Sequence, residues 1–220
     1  MTSYQDFDFF VFDWDGTILD TIGPIIHSYQ YACKELGFSV PDEDVVRSTI
    51  GLSTHECLRI CCPECPQEKF EEFFALYTSH YLPLEAQLSL IEGVETLLRD
   101  MHSKGLRLGI ATGKSNKGIR RVLKKYNLEA IFESVQTADN NFSKPNPSML
   151  FSIEEETGVD CTKMVVIGDS CLDLQMAHNA GAACIGMTYG ASKPEDLAKH
   201  NPLKLCSSAE ALREFLDLKQ

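Results

Sequence analysis

Hydrophobic residues gather in short, nearly unbroken runs along the chain, at residues 7–12, 106–111, 131–136, 164–167 and 183–187, each bounded by glycine, aspartate or a polar turn. Runs that are apolar throughout, rather than at every second position, predict strands buried on both faces. Between the later runs the spacing changes. Ile119, Val122, Leu123 and Tyr126 recur at helical intervals, and residues 147–158 carry Leu150, Phe151 and Ile153 before Gly158 ends the pattern. Strand and helix signals in alternation predict an α/β fold, a Rossmann-like parallel sheet flanked by helices.

The first run is followed by helices instead of a second strand. Ile22, Ile25, Ile26, Tyr29, Cys33 and Leu36 make one apolar stripe that stops at Gly37. A second helix is expected near Asp42 and a third at Ser53, where Ser53 and Glu56 have capping-box spacing. A fourth carries Phe70, Phe73, Phe74, Tyr77 and Tyr81, and Pro83 is read as the return to the sheet. Residues 19–82 are therefore expected to form a small helical domain inserted into an α/β core of residues 1–18 and 83–220.

Length and charge narrow the choice of partners. A chain of 220 residues buries a core of its own, and its formal net charge of −12 argues against nucleic acid or an anionic membrane surface. A small anionic substrate stays open, since a few lysines and a bound metal reverse the field locally. No apolar run approaches the roughly 20 residues of a membrane span, and residues 1–7 have no signal-peptide pattern, so a cytoplasmic location is expected. Nine cysteines then read as reduced thiols. Cys57, Cys61, Cys62 and Cys65 have partial zinc-site spacing, but small side chains buried at a helix end explain them better.

The stretch FVFDWDGTILD, residues 10–20, poses a sharper question: two aspartates stand one residue apart just where a buried strand ends. Ligands of open parallel sheets bind beyond the carboxyl ends of the strands, and other strand ends here are also polar. One runs into Thr112-Gly113-Lys114, another leads to Lys144-Pro145, and a third ends in Gly168-Asp169-Ser170 with Asp173 four residues on. Each has an ordinary reading alone: an Asp-x-Asp-Gly turn, a helix-capping threonine, a loop lysine, a capping Gly-Asp-Ser. Four of them, in order and at the same end of the sheet, do not.

Asp13-x-Asp15-Gly16-Thr17, Thr112, Lys144 and Gly168-Asp169-x-x-x-Asp173, with helices inserted after the first motif, resemble the haloacid dehalogenase-like hydrolase superfamily, in its phosphoglycolate phosphatase-like and β-phosphoglucomutase-like branch. The resemblance implies hydrolysis of a small phosphorylated metabolite through an aspartyl-phosphate, with Mg²⁺ as cofactor. It assigns Asp13 as nucleophile and Asp15 as the acid and base at the leaving group. It gives the metal to the Asp13 and Asp169 side chains and the Asp15 carbonyl. Thr112 and Lys144 would hold phosphoryl oxygens, with backbone N–H groups around Trp14, Gly16 and Gly113 completing the cradle and Asp173 orienting Lys144 or a water.

Residues 49–54 are the segment of the helical cap expected to enter the site. Gly51 permits a close backbone approach, Leu52 follows it, and the helix starting at Ser53 would aim N–H groups at an anionic leaving group. The plainer alternative is that Gly51 ends one helix and Ser53 begins the next. Two rival functions remain. A phosphosugar mutase needs cationic groups where Ile50-Gly51-Leu52-Ser53-Thr54 has none. A non-catalytic binding protein on this fold would have lost a motif residue, and none is lost. The oligomeric state is left between monomer and homodimer.

Overall fold

The computed structural model describes residues 6–218; the ends of the expected core at 1–5 and 219–220, with most of the segment searched for a signal peptide, lie outside the described residues. Six strands form one parallel sheet: β1 (Phe9–Phe12), β2 (Arg107–Thr112), β3 (Ser134–Thr137), β4 (Met164–Gly168), β5 (Ala183–Met187) and β6 (Lys204–Cys206), ordered β3-β2-β1-β4-β5-β6. β1 is thus central, with Phe12 beside Ile110 on one strand and Ile167 on the other.

Both faces of the sheet are buried, which is why the strands read as unbroken apolar runs. Phe10, Phe12, Ile110 and Ile167 point into one layer, under helices α5 (Val94–Ser103), α6 (Asn116–Tyr126) and α10 (Ala209–Phe215). Phe9, Val11 and Val166 point into the other, under α7 (Ser148–Thr157), α8 (Cys171–Ala180) and α9 (Pro194–Ala198). The strand expected at 131–136 starts later, because Ile131 and Phe132 pack into the core ahead of Ser134. β6 has no counterpart among the expected strands.

Between β1 and β2 lie α1 (Ile22–Glu35), α2 (Glu43–Thr49), α3 (Thr54–Cys61) and α4 (Phe70–Gln87), packed around their own apolar cluster of Ile26, Tyr29, Leu58 and Phe73. Two details differ from expectation. α4 does not stop at Pro83 but runs on to Gln87, its end clasped by α6: Lys125 Nζ donates to the carbonyls of Glu85, Ala86 and Leu88 at 3.1, 2.9 and 3.0 Å, and the Tyr126 hydroxyl to Leu88 at 2.7 Å. The capping box at Ser53 closes only halfway. Ser53 Oγ accepts from the Glu56 N–H at 3.3 Å, but the Ser53 N–H donates to Ser143 Oγ at 2.6 Å instead. A complete box forms at the start of α8, between Ser170 and Asp173.

Candidate functional site

Two strand ends, one helix start and one loop deliver four buried charged groups to a single point. Asp13 follows β1 and extends the ladder, its N–H donating to the Ile167 carbonyl at 2.9 Å. Asp169 follows β4, and Asp173 stands in the first turn of α8. Lys144 arrives from the loop before α7, and its Nζ bonds Asp13 Oδ1 at 2.6 Å and Asp173 Oδ1 at 2.5 Å. Carboxylate oxygens of Asp13, Asp169 and Asp173 lie within 4.8 Å of one another. Three carboxylates facing one ammonium leave a formal excess of two negative charges in a water-poor site.

The electrostatics register that excess. Burial, with Asp173, Asp169 and Asp15 nearby, lifts the Asp13 carboxyl well above the usual carboxylate range despite Lys144. Burial and Asp173 push Asp169 up to about 7. Burial works against the Lys144 charge, but Asp13 and Asp173 outweigh it and hold that ammonium above the ordinary lysine value. Carboxyls raised in this way are what an uncompensated cluster of like charges in low dielectric produces.

Asp169 is fixed by shape as well as by bonds. It accepts from Thr17 Oγ1 at 2.7 Å and the Ala191 N–H at 2.6 Å. A Cβ on Gly16, where φ is +88°, would stand 2.3 Å from Asp169 Oδ2, and one on Gly190 would stand 2.1 Å from the same atom. Asp173 is held on the far side by the Ser170 N–H and hydroxyl at 3.0 and 2.6 Å.

Asp15 belongs to a different group of charges. Its Oδ1 accepts from Thr21 Oγ1 and from Lys114 Nζ, both at 2.7 Å. Lys114, one residue past Gly113, also bonds the Tyr81 hydroxyl at 2.9 Å and lies 3.3 Å from Glu85 Oε1, both on α4. Arg121 pairs with the other Glu85 oxygen at 2.5 Å. Lys114, Tyr81 and Glu85 are not among the residues that the strand-end motifs single out. Thr112 is buried, and its hydroxyl accepts from the Lys114 N–H at 3.2 Å. Trp14 packs in the core with its indole N–H unpartnered.

The cap loop lies on the strand ends. A Cβ on Gly113 would stand 2.3 Å from the Leu52 carbonyl oxygen and 2.7 Å from that of Gly51. Gly51 has φ +107°, and a side chain there would reach Ser170 Oγ and Leu172 at 3.6 Å and the Lys144 stem at 3.9 Å. Asp15, Gly51, Leu52, Tyr77, Gly113 and Lys114 are among the residues around a small cavity of about 50 Å³ between cap and core. Gly51 and Leu52 line it, whereas Ser53 does not; its N–H is taken by Ser143 rather than aimed into the cavity. The cap cysteines line no metal site. All nine thiols are free, Cys57, Cys61, Cys62 and Cys65 are buried, and among the described residues only the Asp13, Asp169 and Asp173 group has metal-ligand spacing.

A central parallel strand, a helical insert directly behind it and a carboxylate cluster at the strand ends define a capped α/β enzyme. Residues 10–187 match the haloacid dehalogenase-like hydrolase family. The chain is 30% identical over 224 residues to a phosphoglycolate phosphatase of Vibrio vulnificus, covering 97% of this chain and 96% of that one. It is 29% identical over 224 residues to a phosphoglycolate phosphatase of Vibrio parahaemolyticus, at 96% and 97% coverage. A hydrolase from Pseudomonas syringae superposes with a TM-score of 0.85 at 23% identity, over 99% of this chain and 98% of that one. The chain belongs to the haloacid dehalogenase-like hydrolase family, alongside its phosphoglycolate phosphatase relatives. No helix among the described residues is long and apolar enough to cross a membrane.

Proposed function

We propose that this hydrolase is a divalent-cation-dependent phosphatase, that its substrate is a small phosphate monoester of the phosphoglycolate kind, and that it works through an aspartyl-phosphate on Asp13. The observation that carries this reading is the division of the two neighbouring aspartates: Asp13 joins the cluster with Lys144, and Asp15 turns to Lys114 beside the cavity.

A metal ion suits the first group. Its donors are hard oxygens, and the formal excess of two negative charges matches one divalent cation. Asp13 and Asp169 would hold Mg²⁺ with the Asp15 carbonyl, while Asp173 stays with Lys144. Bound there, the cation neutralises charge on the phosphoryl group and the nucleophile.

The chain's own residues supply the steps. Asp13 attacks phosphorus with a carboxylate oxygen, forming the P–O bond of an acyl phosphate as the ester P–O bond breaks. Asp15 gives its proton to the departing alkoxide, then takes one from the water that attacks the acyl phosphate, which frees Asp13 and inorganic phosphate. Lys144, the Thr112 hydroxyl and the backbone N–H groups around Trp14, Gly16 and Gly113 bind the phosphoryl oxygens. Positioning and charge carry phosphoryl transfer, and fixed donors in a dry site supply both. Gly51 and Leu52 close over the leaving group.

A phosphosugar mutase is disfavoured because, of the residues lining the cavity, Lys114 alone is cationic, and it is already engaged by two carboxylates. The test is a panel of 2-phosphoglycolate, sugar phosphates and nucleoside monophosphates assayed with Mg²⁺ and with EDTA. Phosphate release from a small ester, abolished by EDTA, is expected. Release that EDTA leaves untouched, or no release from any ester, would overturn the reading.

A further inference from the structure

The Lys114 side chain is about 10% exposed, where that of Lys144 is fully buried, and the phosphoryl-transfer steps make no use of it. Each of its three N–H donors has a partner in the protein: Asp15 Oδ1 at 2.7 Å, the Tyr81 hydroxyl at 2.9 Å and Glu85 Oε1 at 3.3 Å. An ammonium with no donor left over is built for holding something rather than for binding substrate. Two of its partners, Tyr81 and Glu85, sit one turn apart on α4 and bond each other at 2.9 Å. Glu85 is itself gripped from the core by Arg121 at 2.5 Å, and α6 clasps the end of α4 through Lys125 and Tyr126. The partners form a continuous path from the core helix α6, through the last turns of the cap's final helix, to the carboxylate of Asp15.

We propose that Lys114 is a positioning residue, anchored by Tyr81 and Glu85, that fixes the Asp15 carboxyl at the leaving-group side of the cavity. Among the described residues, Asp15 has one other side-chain bond, to Thr21. Without Lys114 its carboxyl is free to rotate toward the carboxylate cluster or into the cavity, and a misplacement of about 1 Å can cost roughly a hundredfold in rate. The charges divide accordingly. With the Asp15 carboxyl ionised, before it takes up the proton it delivers, Lys114 and Arg121 balance Asp15 and Glu85, so this half of the site is formally neutral and leaves the excess negative charge to the other half. The sequence distance explains why the residue is inconspicuous: Glu85 and Tyr81 precede Lys114 by 29 and 33 positions.

The inference rests on the reading of Asp15 as acid and base, and the test separates the two. An alkyl ester such as 2-phosphoglycolate needs its leaving group protonated, whereas acetyl phosphate releases acetate, which does not. The measured quantity is leaving-group release in the first turnover, which isolates formation of the phosphoenzyme. Asp15→Asn sets the reference. Lys114→Met is expected to slow release from the alkyl ester by roughly a hundredfold or more and from acetyl phosphate far less. Glu85→Gln, which keeps the lysine and loosens its anchor, is expected to show the same bias in smaller measure, and it covers the case in which Lys114→Met does not fold. If Asp15→Asn shows the bias while both other variants slow the two substrates equally or not at all, the role of Lys114 is overturned. If Asp15→Asn shows no bias, the reading of Asp15 fails and takes this inference with it.

Discussion

Asp13 and Asp15, two residues apart, bond different lysines: Lys144 at 2.6 Å for the first and Lys114 at 2.7 Å for the second. The turn between them sends one carboxylate toward Asp169 and Asp173 and the other toward α4. A pair of charges that looks repulsive in sequence is separated in space, each half meeting its own cation. Four expectations follow from that geometry.

Asp13→Asn should abolish turnover and leave the fold intact. The amide keeps the shape but is a poor nucleophile and a weaker ligand for a hard cation. A loss of more than about a hundredfold in kcat, near 3 kcal/mol, is expected beside an unchanged circular dichroism spectrum. A smaller loss would remove Asp13 from the role of nucleophile.

The protein stripped of metal should lose stability as pH rises through the neutral range. Asp13 is raised well above the carboxylate range and Asp169 to about 7, both chiefly by burial. Above an ordinary carboxyl pKa of about 4, the unfolded chain has released protons that the folded chain still holds. Stability therefore falls with pH until the folded-state values are passed. Melting temperatures in EDTA should drop between about pH 5 and pH 7.5. Mg²⁺ at a hundredfold excess over its Kd should restore about 2.7 kcal/mol at neutral pH. Melting curves that ignore both pH and Mg²⁺ would show that these carboxylates do not act as a cation site.

Gly190→Ala should weaken the response to Mg²⁺ without replacing any charged group. The added methyl would stand 2.1 Å from Asp169 Oδ2 and 2.2 Å from its Cβ, so the carboxylate must move. Displacing what orients a metal ligand typically costs tenfold to a hundredfold in affinity, as an order of magnitude. The Mg²⁺ concentration for half-maximal activity should rise by about that factor. Superimposable titrations of variant and parent would count against Asp169 as a ligand.

The cap loop gives the fourth. Gly51→Leu strains a backbone at φ +107° and places a side chain toward Leu172, Ser170 and the Lys144 stem. The kcat/KM for the preferred alkyl ester should fall steeply, with acetyl phosphate hydrolysed almost normally. Gly113→Ala, whose methyl would meet the Leu52 carbonyl oxygen at 2.3 Å, lifts the same loop from below and should act in the same direction. Equal losses on both substrates would show that the loop does not read the leaving group.

How much of this the residues disclose follows from how local each signal is. β1, β4 and β5 were legible because every residue in them is apolar or glycine, the mark of burial on both faces. β6 was not: it is three residues at the sheet edge, one of them an exposed lysine. Asp13, Asp169 and Asp173 could be gathered from sequence because they sit at or just beyond the ends of two neighbouring strands. Lys114 could not, since nothing within a few residues distinguishes it from a loop lysine and its partners lie on a helix of the insert. Pro83 misled for the opposite reason. A local breaker was overruled by side chains of α6 that hold the helix from outside.

The register of β1 with its neighbours has a consequence for how this enzyme can change. Phe12 is level with Ile110 and Ile167, and the Asp13 N–H continues the same ladder to the Ile167 carbonyl. Spacing between the Asp13 and Asp169 backbones is therefore ruled by the interval between hydrogen-bonded strands, about 4.8 Å. A shift of one residue would turn every core side chain inside out. Side-chain substitution can retune the chemistry but cannot slide it along the sheet. The helices of the insert contribute no strand to the sheet and are free of that constraint.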